Sequence, residues 1–261
     1  MLIVACIRTV VLDRLDNLNL DRIRLPLGAS QNDPHTQILV SKDIKQKKRV
    51  IVLFGERHQD LGIFSYRVLG NENLNQGSAI DLVTAIEHVL GVDGMSRGII
   101  IANPGQLLWY RGGGRAVTYS EWMSLSRPSA VHDALEMDSS KNFIPSNRDY
   151  QEHVQYIFEN VMRELVREHV KFELIGLEST GHAMIEYLAS HCKSKTKKEK
   201  ATANSSQGMN GLVPSKASAW ELHSTTRKSS SPREATPRTL QTSSASAAVH
   251  TSCRALVLKH S

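Results

Sequence analysis

Three short apolar runs set the pattern of the chain: Arg49 to Phe54 (RVIVLF), Gly98 to Ala102 (GIIIA) and Phe172 to Leu177 (FELIGL). Continuous apolar strands bounded by turns are expected where both faces of a sheet are covered. Between the first two, Ser78 caps a helix with Asp81 reaching back. Ala79, Leu82, Val83, Ile86, Val89 and Leu90 follow at helical spacing, and Gly91 closes the end. Before the third, Asp149 to His169 carries an apolar stripe of Val154, Ile157, Phe158, Val161, Met162, Leu165 and Val166, with Glu152, Glu159, Arg163 and Arg167 opposite. Strands alternating with helices predict an α/β protein, a doubly wound and mostly parallel sheet.

The flanks are less periodic. Residues 1–25 are loosely helical, Leu25 to His35 is a loop by composition, and Thr36 to Val40 alternates as a strand. Asn103 to Pro145 is rich in loop chemistry, with a short helix expected near Val131. After Ser190 the chain turns to Ser, Thr, Ala and Lys, and the apolar density needed to offset ordering entropy is gone. Residues 193–261 therefore read as a disordered basic tail, although the final RALVLKH has the composition of a strand.

Charge sharpens that division. The tail from Lys193 holds twelve Lys+Arg against three Asp+Glu, a balance of +9, and the first 192 residues balance to −3. The basic character belongs to the tail, and the body has no cationic face suited to nucleic acid. Cys6, Cys192 and Cys253 have no paired spacing, so a reduced compartment is expected and no zinc or disulfide framework. No apolar run approaches the ~20 residues that cross a bilayer, and the apolar start, broken by Arg8, lacks the basic leader of a signal peptide. No membrane association and no cofactor are expected.

Candidate chemistry centres on Lys171 to Ser190, KFELIGLESTGHAMIEYLAS, read as a strand, a tight turn over Glu178 to Gly181 and a helix from about His182. A hydrolase elbow needs small residues two before and two after its nucleophile. Around Ser179 these positions are Leu177 and Gly181. One register earlier they are Gly176 and Thr180, with Glu178 at the centre. Neither register is complete. The downstream acids and histidines (Glu186, His191, Glu199, His223, His250) lie in the helix or the tail, so catalysis by Ser179 is the alternative and a packing turn the first reading.

FGERHQD (Phe54 to Asp60) follows the first buried strand, and Gly55 and Glu56 open that loop. His58 and Asp60 are two side chains short of a third metal ligand, so no metal site is expected. RGGGR (Arg111 to Arg115) offers backbone N–H groups between two guanidiniums, suited to an anion or to a plain mobile loop. Trp109, Tyr110 and Trp122 beside it are the residue types of interface anchors, or else plugs over the sheet edge.

Several segments together resemble a known family: RLPLGASQNDPH, RVIVLFGERHQDLGIFSYRVLG, NQGSAIDLV, GIIIANPGQLLWY, RPSAVHDA and DYQEHVQYIFENV. In this order they are similar to the fungal Argonaute-binding protein two domain family, a domain also found at the C-terminus of class II histone deacetylases. The likeness spans about Leu20 to Ala189, giving a domain over 20–192. It implies an α/β-hydrolase-like fold whose elbow serine is often absent. It also implies protein partners, Argonaute or silencing-complex subunits, in small-RNA or heterochromatin silencing in the nucleus or cytoplasm. Family members continue past the helix at His182 with further strands. The tail here predicts an incomplete sheet with an open edge. The expected contact surface is the rim at the carboxyl ends of the parallel strands, with Gly55, Glu56, Trp109, Tyr110, Arg111, Arg115 and Glu178 as its residues.

Overall fold

The computed structural model of the chain describes residues 2–88, 97–125, 129, 131, 135–205, 219–226 and 250–258. In chain order its elements are α1 (Leu2–Asn17), β1 (Leu20–Leu25), β2 (Thr36–Ser41), β3 (Arg49–Phe54), α2 (Tyr66–Asn71), α3 (Ile80–His88), β4 (Arg97–Ala102), β5 (Leu108–Tyr110), β6 (Arg115–Val117), α4 (Tyr119–Met123), α5 (Tyr150–Tyr156), α6 (Met162–Leu165), β7 (Lys171–Leu177), α7 (Glu178–Ser205), β8 (Ala219–Thr226) and β9 (His250–Leu258). One π-helical turn, Ile157–Val161, joins α5 to α6.

Seven strands form a mixed sheet in the order β1-β2-β4-β3-β7-β9-β8, and β5 and β6 form a separate hairpin. β1 and β4 each run antiparallel to β2, and the remaining neighbours are parallel. Alternation along the three apolar strands builds two cores, because successive side chains leave opposite faces. Val50, Val52, Phe54, Ile100, Ala102, Phe172 and Leu174 pack with Val154, Ile157, Val161 and Met184 of the later helices. Ile51, Leu53, Ile99 and Ile101 pack with Val11 and Leu15 of α1 and Val83 and Ile86 of α3. The sheet is thus covered by helices on both faces, as the continuous apolar runs require.

Several expectations are corrected. Leu20–Leu25 is a strand, hidden in the sequence by its charges. Leu20 and Leu25 are buried, and Arg22 between them reaches out to Asp13 and Asp16 of α1. The helix expected over 149–169 ends at Leu165, where Val166 becomes extended, although the whole apolar stripe does face the core. The stretch around RGGGR is a hairpin rather than a loop alone. The short helix expected near Val131 falls mostly outside the described residues, as does the Val89–Gly91 end of the earlier helix.

The tail also differs where it is described. α7 runs on through Ser205, and β9 pairs in parallel with β7, from Phe172 opposite Cys253 to Leu177 opposite Leu258. β8 then extends the sheet beyond β9. The edge of β7 is therefore covered and not open. RALVL pairs because the outer edge of β7 offers it a ladder of N–H and C=O groups. The rest of the expected disordered tail lies outside the described residues.

Two glycines make opposite demands. A Cβ on Gly176 would stand 2.4 Å from the Cα of Gly181, so the end of β7 and the start of α7 touch backbone to backbone. Gly70 in α2 has nothing within 4 Å and an ordinary φ. Gly176→Ala is expected to cost about 3 kcal/mol through overpacking. Gly70→Ala should gain about 0.5–1 kcal/mol through the unfolded chain. Urea midpoints of the two variants check both signs.

Candidate functional site

The rim is assembled by the register of the sheet. Phe54 lies opposite both Ala102 and Gly176, so the loops that follow β3, β4 and β7 leave the sheet at one end. β2 runs the other way, and its first residue, Thr36, stands at the same end, bonded through Oγ1 to Asn103 Nδ2 at 3.1 Å.

Just beyond β4, Asn103 is the hub. Its backbone N–H donates to His153 Nε2 at 3.1 Å, so the ring proton sits on Nδ1 and donates to Asn147 Oδ1 at 2.6 Å. Its side chain binds Gln106 in both directions, Nδ2 to Oε1 at 2.9 Å and the Gln106 N–H to Oδ1 at 3.2 Å. Gln106 Nε2 passes the connection to Asp60 Oδ1 at 2.7 Å. Asp60 also accepts from the Tyr66 hydroxyl and from Arg8 Nη1. Arg8 continues to Glu121 at 3.0 Å, and Glu121 to Arg115 at 2.6 Å. Alternating charges therefore run from α1 through the rim to α4 and the hairpin.

The burial of this relay shifts its titrations. His153 is fully buried and pushed down to about 3, so it is a neutral hydrogen-bonding group at physiological pH. Burial and then the neighbouring Asp60 carboxylate raise the Tyr66 hydroxyl well above its ordinary range. Burial opposes the charges of Arg8 and Glu121, yet their contacts win: Arg8 stays above its usual value beside Asp60 and Glu121, and Glu121 falls below its own beside Arg115 and Arg8.

At the end of β7 the backbone passes through a strained residue, and that residue is Glu178, with φ +46°. A non-glycine residue there costs on the order of 1 kcal/mol or more. α7 begins at Glu178 itself, so the tight turn is one residue long. Ser179 sits one step further, half-buried on the first helical turn. Thr180 is buried, and its Oγ1 lies 2.7 Å from Gly55 O and 2.6 Å from Leu177 O, so its one proton is shared between two carbonyls and clips the turn to the loop after β3. The loop that begins at Gly55 and the turn at Glu178 are thus tied together, and Gly55, Glu56 and Glu178 are all half-buried.

The aromatic residues do not behave as anchors. Trp109 is 4% exposed, its ring tilted against His35 at 5.0 Å, because the hairpin folds back over the start of β2. Tyr110 lies beneath Gly112 and Gly113, where any Cβ would come within 3 Å of its ring or hydroxyl, and it meets Trp122 edge-on. Both are plugs. Arg115 is held by Glu121, and Arg111 is exposed. Among the described residues no His/Cys/Asp/Glu group could hold a metal ion, and Asp60 is already engaged.

The residues that sequence reasoning missed are polar ones. Asn103 and Gln106 stood in a loop without a motif, Asp60 was weighed only as a metal ligand, and His153 lay inside an amphipathic helix. The signal that could have found Arg8 was its position inside the apolar run LIVACIRTVVL, since a charge there needs a partner.

The architecture defines an α/β protein whose parallel strands open onto one polar, hydrogen-bonded rim. The family model of the Arb2 domain matches residues 2–211, and the chain belongs to that family, the one its sequence segments resemble. The match extends beyond residues 20–192 on both sides and takes in α1. No curated protein and no solved structure matches the chain.

Protonating His153 breaks its bond from Asn103, which fixes the direction of a pH effect. The unfolded ring titrates near 6.5 and the folded ring near 3. Its contribution to stability is complete above about 6.5 and is lost as pH falls towards 3, by roughly 1.4 kcal/mol per pH unit. His153→Gln should be less stable at pH 7 and show a shallower decline between pH 6 and 4, as measured by denaturation at each pH.

Proposed function

We propose that this chain is a protein-interaction module on an α/β-hydrolase-like scaffold, without hydrolase chemistry, that serves Argonaute-linked small-RNA or heterochromatin silencing in the nucleus or cytoplasm. The observation that carries the reading is the identity of the strained residue. In an α/β-hydrolase the nucleophile occupies the sharp strand-to-helix turn, and the next N–H and the loop after an earlier strand form the oxyanion hole. Here the turn, the flanking Gly176 and the neighbouring Gly55 loop are present, and the residue in the strained position is Glu178. Ser179 is displaced onto α7, and among the described residues no histidine is hydrogen-bonded to it. Family membership supplies the partner class.

The alternative, a serine hydrolase using Ser179, makes a distinct demand. A fluorophosphonate probe is expected to label wild type and Ser179→Ala alike, at background. Labelling that disappears in Ser179→Ala would replace the interaction reading with the hydrolase one.

The rim itself is tested by direct binding to purified Argonaute. Glu56→Arg together with Glu178→Arg should weaken the complex at least about tenfold, since like-charge or unmatched contacts at a packed centre cost 1.4 kcal/mol or more. Unchanged affinity would move the contact surface off this rim.

A further inference from the structure

The balance of −3 over residues 1–192 averages over two unlike ends. At the amino ends of the parallel strands, opposite the rim, cations collect. Arg49 lies opposite both Arg97 and Lys171, a row across three neighbouring strands set ~4.8 Å apart. The chain enters this row through SKDIKQKKR, Ser41 to Arg49. Its single 3-10 turn, Ile44–Gln46, lies on the start of β4, where a Cβ on Gly98 would meet Ile44 at 2.6 Å and Lys47 at 3.0 Å. The Lys171 N–H donates to Lys48 O at 3.0 Å, which sets those two residues side by side. The acids nearby are occupied. Asp43 is taken by Lys47 at 2.7 Å, and Glu173 by Arg49 at 3.2 Å and Arg97 at 4.0 Å. Arg167 and Glu168, both exposed in the turn before β7, offset each other. Lys42, Lys45, Lys48 and Lys171 remain exposed, with no ion pair among the described residues.

α7 brings more charge to the same end. It starts at the carboxyl end of β7, and Phe158 stacks on Tyr187 at 4.9 Å, so it runs back beside α5 and α6. At 1.5 Å per residue it needs roughly fifteen residues to retrace the ~23 Å of β7. The run Lys193 to Lys200, five lysines and one glutamate, therefore falls at or beyond the level of the strand starts.

We propose that this end of the sheet binds the phosphate backbone of double-stranded nucleic acid, without regard to sequence, through Lys42, Lys45, Lys48 and Lys171. An expectation drawn from total charge overlooks this face, because acids elsewhere in the body cancel it. The surface lies away from the rim, and the proposal does not rest on the interaction-module reading. A duplex carries a charge every ~1.7 Å of axis, and each phosphate met by a cation releases condensed counterions, so separate ammonium groups spread over a surface are effective. An acidic peptide fits less well. Forked guanidiniums are the groups that grip a carboxylate, and Arg49 and Arg97 already share Glu173. A single strand is held by exposed aromatic rings that stack its bases, and a membrane surface by apolar side chains that insert. The exposed large apolar side chains among the described residues include none from 41–49 or 163–171.

The test is fluorescence anisotropy of the full chain with a short fluorescein-labelled RNA duplex, titrated at several salt concentrations. The logarithm of the affinity should fall linearly with the logarithm of the salt concentration. A duplex of different sequence, or of DNA, should bind alike, since the contacts are to phosphates. Lys48→Glu with Lys171→Glu, both exposed and outside the core, should weaken binding at least about tenfold and lower the salt slope by about 2. Arg14→Glu with Arg67→Glu changes the total charge equally at exposed positions elsewhere, and should shift the affinity by less than about threefold. If the two double variants bind alike, the duplex is held by overall charge or by the tail, and the proposal is wrong. Absence of wild-type binding at about 100 mM salt, where the screening length is ~10 Å, would refute it outright. Tighter binding to octaglutamate, oligouridylate or phosphatidylserine vesicles, dependent on Lys48 and Lys171, would overturn it in favour of an acidic protein, a single strand or a membrane.

Discussion

Where β4 ends, the backbone N–H of Asn103 leaves the sheet buried and without a strand partner, and a neutral histidine ring takes it. An unmet buried donor would cost on the order of 1–3 kcal/mol, so the His153 bond is a condition for the rim and not an addition to it. From that point the order of the loops follows. Asn103 holds the start of β2 and Gln106, Gln106 holds Asp60 and the Leu61 N–H, and Asp60 holds α1 through Arg8. Gly105 shows how tightly the loops are drawn together, since a Cβ there would lie 1.9 Å from Gln59 O. A polar network this connected fixes one arrangement, because partial satisfaction would be worse than an apolar core.

Much of the sheet was legible because burial on both faces leaves a simple mark. RVIVLF, GIIIA and FELIGL are strands whose runs are apolar on both faces apart from Arg49 and Glu173, which pair with each other near the strand starts, and their bounds come within a residue of expectation. β1 left no such mark. As an edge strand it has one free side, and Asp21, Arg22 and Arg24 are tolerated there. β9 was obscured for another reason: a strand of ordinary composition was surrounded by Ser, Thr and Lys. Its pairing with β7 depends on a register of residues about eighty positions apart, and local pattern does not encode that.

The candidate site was legible in outline and not in detail. Parallel strands with a common direction do bring Gly55, Glu56 and Glu178 to one rim, which is a consequence of topology alone. The burial of Trp109 and Tyr110 could not be read from the same segment. Aromatic rings beside a triple glycine look alike whether they face a partner or the hairpin's own turn, and the choice is made by His35, seventy-odd residues earlier in the chain. The elbow's register was open for a similar reason. Both Glu178 and Ser179 can precede a helix, and nothing in the local pattern selects which one takes the positive φ that the structure gives to Glu178.

That selection bears on what the turn does. A strained backbone at the end of a buried strand persists only when its surroundings over-determine it, and here Thr180 and the glycine contact do so without any help from the Glu178 side chain. The strain is therefore paid by packing, and the carboxylate is left free of any structural duty. In a hydrolase the same strain would raise a nucleophilic oxygen above the sheet. Here the residue in the strained position is an acceptor-only carboxylate, and the turn that carries it is fastened by Thr180 to the loop after β3.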